Sequence, residues 1–70
     1  MSSQPKVGDI VAWKWGNGIA SGEVERVCCE KTHIQSKGQT VTRNGSRDNP
    51  AVVIRQDDGT KVIKLHSELD

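Results

Sequence analysis

Turn-forming residues interrupt this chain about every ten positions, and no stretch between them carries the period of an amphipathic helix. Gly16-Asn17-Gly18, Ser36-Lys37-Gly38, Asn44-Gly45 and Asp57-Asp58-Gly59 divide 70 residues into short runs rich in Val, Ile and Thr. That punctuation specifies strands joined by tight turns. Apolar residues make up only 33% of the chain, with two Trp and neither Phe nor Tyr. So thin a core supports one small domain at most. A flat sheet of this length would leave one apolar face in water, whereas a curled, closing sheet hides it.

Five strands are expected. Val7–Trp15 opens, with Val11, Trp13 and Trp15 on one parity and Ile10 and Ala12 on the other, so both sides should be covered for part of its length. Asn17-Gly18 suits a type I′ turn. A long second run reaches from Ile19 to about Ile34. Val24 and Val27 differ in parity, so a bulge near Glu25-Arg26 is needed to turn both inward. Gly22 marks a sharp bend of the sheet or a close approach of another strand. Gln39–Arg43, with Val41 as its one apolar residue, reads as an edge or a projecting hairpin arm. Ala51-Val52-Val53-Ile54 is continuously apolar and should be buried on both faces. Asp57–Thr60 is a hairpin turn, Lys61–Leu65 the last strand, and His66–Leu69 one helical turn with Leu69 packed across an open end. The whole is an all-β, SH3-like barrel over residues 6–70, preceded by a mobile tail over residues 1–5.

Several function classes are excluded. Ten Lys plus Arg against nine Asp plus Glu leave a net charge of +1, which is neither a polycation nor an acidic tail. No apolar run approaches the roughly 18 residues of a membrane helix. Met1–Pro5 lacks the pattern of a secretory signal, and the adjacent Cys28 and Cys29 cannot frame a disulfide scaffold. A reducing, cytoplasmic compartment is expected.

Val7-Gly8-Asp9-Ile10-Val11-Ala12-Trp13 resembles the opening strand of Tudor and KOW-type SH3-like domains. More narrowly, Gly16-Asn17-Gly18, Gly22-Glu23-Val24, Arg43-Asn44-Gly45 and Asn49-Pro50-Ala51-Val52, in that order, resemble the hypervirulence-associated protein Tudor domain family. The ending from Asp58-Gly59-Thr60-Lys61-Val62 to His66-Ser67-Glu68-Leu69 is similar too. The resemblance implies the fold and carries over no catalytic or binding residue. Methyl-lysine readers of the Tudor type need several aromatic rings around a cation, and this chain has only Trp13 and Trp15.

Those two Trp either fill the barrel mouth or form a rim platform; a split, with Trp13 inside and Trp15 on the rim, is expected. They are the candidate residues for a protein partner, and pairing along an open sheet edge, including with a second copy, is another route to association. The alternative is KOW-like nucleic-acid binding by Arg26, Lys31, Lys37, Arg43 and Arg47, since no acid interrupts the stretch from Lys31 to Arg47. No catalytic, cofactor or metal site is expected. Cys28 and Cys29 point to opposite faces of a strand, so one should pack inward and the other outward. His66-Ser67-Glu68 cannot converge on one reacting atom, and Asp9 is expected to accept backbone hydrogen bonds at the strand entry.

Overall fold

The computed structural model describes residues 4–69. Six strands and one short helical turn follow in order: β1 (Ile10–Trp15), β2 (Gly18–Cys28), β3 (Lys31–Ser36), β4 (Gln39–Asn44), β5 (Ala51–Arg55), β6 (Lys61–Leu65) and a 3-10 turn at His66–Glu68. A four-stranded antiparallel sheet runs in the order β1-β2-β5-β6, and β3 and β4 form a separate two-stranded sheet. The curled large sheet and the small one together make the expected SH3-like, all-β arrangement.

One correction concerns strand number. The run from Ile19 to Ile34 is two strands, β2 and β3, because the chain turns a corner at Cys29-Glu30 and changes sheet. No Gly or Pro marks that corner. One local and one distant contact hold it instead: the Glu30 carbonyl accepts the Thr32 hydroxyl at 2.9 Å and the Gly45 N–H at 3.2 Å. Of the two expectations for Gln39–Arg43, the edge strand holds, since β4 borders the two-stranded sheet. The hairpin does not project; Ile34 and Val41 pack inward against Ala51, Val53 and Ile63.

β5 is where burial is greatest, with Ala51, Val52, Val53 and Ile54 all at 4% exposure or less. Alternate side chains of a strand point to opposite faces. Val52 and Ile54 therefore join Trp13 and Val24, while Ala51 and Val53 join Ile63. The pairing of β2 with β5 slips between Val24 and Arg26, the expected bulge, and Val27 then packs on the same cluster as Val24. Gly22 lies opposite Val11 in the β1–β2 ladder. A Cβ there would stand 2.6 Å from both the Arg55 carbonyl oxygen and the Ile54 Cγ2, so only glycine lets β5 come so close.

The turns differ from expectation in one respect. Trp15 pairs with Gly18, so the two central residues are Gly16 and Asn17, and the positive φ of 56° falls on Gly16. That is the type II′ pattern. The type I′ pattern appears instead at Lys37-Gly38, with φ of 53° and 78°.

Candidate functional site

β1–β2, β3–β4 and β5–β6 are consecutive hairpins, so their three turns gather at one end of the molecule. Between them lies a hollow of about 330 Å³. Trp13, Ala20 and Val62 form its apolar part, Trp15 flanks it, and Ser36, Lys37, Gln56 and Thr60 supply polar groups.

The two tryptophans share a parity but not an environment. Trp13 pairs with the small Ala20 and is 2% exposed, whereas Trp15 is 71% exposed. The difference comes from what each ring meets. Trp13 packs with Val24, Val52 and Ile54 in the core. Trp15 sits beside the turn opposite Gly18, which offers no side chain to pack on. Coverage of β1 on both sides was expected, yet only Trp13 is fully buried and Ile10 is 74% exposed.

The rim of the hollow is polar and of mixed charge. Lys37 occupies the β3–β4 turn, and Asp58 lies in the neighbouring β5–β6 loop. The Thr60 backbone N–H, 2.9 Å from the Asp58 carboxylate, holds that carboxyl below its usual range, helped by the Thr60 hydroxyl and, more weakly, the charge of Lys37, against an opposing effect of desolvation.

The basic residues named from sequence do not converge. Lys31 and Lys37 stand at opposite ends of β3, roughly 20 Å apart at the rise of a strand. Arg43 faces the body of the protein and donates from Nε to Glu68 Oε1 at 2.9 Å. Arg47 lies in the loop before β5, where its carbonyl accepts the side-chain amide of Gln4. Arg26 sits beyond the bulge on β2, beside Glu25 and Lys61. Of the tail expected over residues 1–5, residues 1–3 lie outside the described residues.

At the opposite end a polar latch closes the chain. The Asn49 carboxamide accepts the Ser67 N–H at 2.8 Å and donates to the Ser67 hydroxyl at 3.1 Å. The Pro50 carbonyl accepts the His66 N–H, and Glu68 accepts the Leu65 N–H, both at 2.9 Å. Leu69 packs on the Trp13 cluster. His66-Ser67-Glu68 is thereby occupied in holding structure. Asp9 accepts the Lys6 N–H on its side chain and the Val24 N–H on its carbonyl. Cys28 packs inward beside Ala51 and Cys29 is exposed, both as free thiols.

The family model described as "Hypervirulence associated proteins TUDOR domain" matches residues 8–69. The chain belongs to this family. No curated protein and no solved structure gives a significant match. Tudor-type domains are in general small binding modules. Several positions that carried the resemblance from sequence are architectural in this Tudor domain. Gly22 admits β5, and Gly45 fits where a Cβ would meet the Cys28 carbonyl at 2.5 Å and the Ala51 nitrogen at 2.6 Å. Asn49 and Glu68 fasten the terminal turn. The hollow is lined instead by residues that flank turns, which no single motif signals; the one cue is that odd-numbered turns of a meander share an end.

Proposed function

We propose that this Tudor domain is a non-catalytic module that binds a protein partner at the hollow between the three hairpin turns, with Trp15 as the contact platform. The observation that carries the reading is the exposure of Trp15 beside a shallow apolar floor. Large aromatic side chains left in water at the edge of a concavity are common anchors in protein recognition. Trp13 supports the floor from beneath and contributes to binding by holding its shape. One exposed ring makes no cage, which speaks against methyl-lysine. With Lys37 and Asp58 both on the rim, a neutral extended segment fits better. The free thiols are in keeping with a reducing compartment such as the cytoplasm. Nucleic-acid binding through Arg26, Lys31, Lys37, Arg43 and Arg47 draws no support from their dispersal, and Arg43 is already paired with Glu68.

Affinity capture with wild type and Trp15→Ala, run with and without nuclease and over a range of salt, tests the reading. Trp15→Ala should lose the partner while keeping wild-type stability, and wild-type capture should survive nuclease and rising salt. Trp13→Ala should cost about 3–5 kcal/mol in a denaturant melt, as a core truncation. Equal destabilisation by both substitutions, or capture abolished by nuclease, would overturn it.

A further inference from the structure

The large apolar side chains left exposed are Val7, Ile10, Trp15 and Ile19, at 68–74%, and all lie on the β1–β2 hairpin or its approach. β1 is also an open edge: among the described residues no strand pairs with its far side. Which backbone groups that edge presents follows from the register. Trp15 and Gly18 close a two-residue turn and so form a hydrogen-bonded pair, and pairing alternates along the strand from there. The Val24 N–H donating to the Asp9 carbonyl at 2.8 Å keeps the same alternation at the far end. Odd-numbered residues of β1 therefore bond to β2. Ile10, Ala12 and Lys14 direct their N–H and C=O groups outward.

We propose that a second copy of this chain docks on that edge, β1 against β1, antiparallel and centred on Ala12. Three features favour a second copy. First, a two-fold axis at Ala12 sets Ile10 opposite the partner's Lys14 and Ala12 opposite the partner's Ala12. Every outward N–H and C=O of the three residues then finds a mate, whereas a shift to Val11 or Trp13 at the centre sends one end of the ladder into a turn. Second, the side chains match. A lysine on an edge strand ordinarily discourages association. Here it meets the partner's Ile10, whose own cross-strand neighbour is Glu23, so its stem covers the isoleucine and its charge reaches toward the partner's carboxylate. No lysine faces a lysine. Third, Ile10 is 74% exposed in the single chain, and the pairing covers it at both ends of the joined strands. The two Trp15 platforms would lie at opposite ends of the joined strands, giving a bivalent reader.

Sedimentation equilibrium of the full chain across a concentration series tests the pairing. Wild type should move from 7.7 kDa toward twice that mass as concentration rises. Ile10→Lys sets lysine against the partner's Lys14 and should leave a monomer, and its far-ultraviolet spectrum should stay that of wild type because Ile10 makes little contact in the monomer. The double variant Ile10→Lys with Lys14→Glu restores opposite charges across the axis and should dimerise again. Wild type monomeric at millimolar concentration would overturn the proposal, as would a folded Ile10→Lys that dimerises undiminished. A double variant that stays monomeric would overturn the Ala12-centred register.

Discussion

Gly22 shows how much of this architecture rests on one missing side chain. Its neighbours at the hypothetical Cβ are a backbone carbonyl and the branch of a fully buried isoleucine, and neither can yield without moving β5. Gly22→Ala should cost about 1–3 kcal/mol as an overpacking change, read from the urea midpoint. Its φ is not in the left-handed region, so the cost is one of space rather than conformation. A midpoint equal to wild type would mean that β5 can retreat. Trp13 and Trp15 make the same point from the other direction: identical residues two positions apart differ because one packs on Val52 and Ile54 and the other sits beside a turn, opposite Gly18.

Among the elements, the β3–β4 hairpin depends most on a contact far away in sequence. Its inward residues Ile34 and Val41 are only partly buried, and Arg43 bonds to Glu68 across the terminal turn. Desolvation pushes the Glu68 carboxyl up, but the Arg43 guanidinium, the Leu65 N–H and the charge of Lys64 together outweigh it and hold the group below its usual 4.5. A carboxyl lowered in the folded state contributes stability that is whole above its unfolded pKa and drains away as pH falls through the folded one. Glu68→Gln should therefore be less stable than wild type at neutral pH, and the gap should close as the pH drops below 4.5. Denaturant melts at a series of pH values measure this. A gap that stays constant into acid would show that the carboxylate charge is irrelevant to the latch.

At the scale of the whole molecule, two small clusters share one strand. Val52 and Ile54 serve one cluster and Ala51 and Val53 the other, so β5 couples the two. Trp13 reports on the first cluster alone. In a Trp15→Phe variant, its fluorescence and the far-ultraviolet signal of all six strands should nevertheless give one denaturant midpoint, as a single cooperative unit requires. Separate midpoints would show that the β3–β4 side opens independently.

The linear order of residues was enough to determine that this chain is all strand and turn, that Ala51–Ile54 runs through the middle, that β2 bulges between Val24 and Arg26, and that Gly22 marks either a sharp bend or a close crossing. Each is a local property: alternation, a continuous apolar run, or a glycine where a side chain has no room. The break at Cys29-Glu30 was invisible because no Gly or Pro marks it and its distant tie is the Gly45 N–H on the Glu30 carbonyl. The folding of the β3–β4 hairpin onto the body was hidden because Val41 looks too sparse to be inward until Ala51 and Ile63 are placed beneath it. The candidate site was half legible. Trp13 and Trp15 stand out in any reading, but Ala20, Lys37, Gln56, Thr60 and Val62 come beside them only when three hairpins return their turns to one end. Short-range pattern sets the elements, and burial against residues remote in sequence decides which of their faces meet.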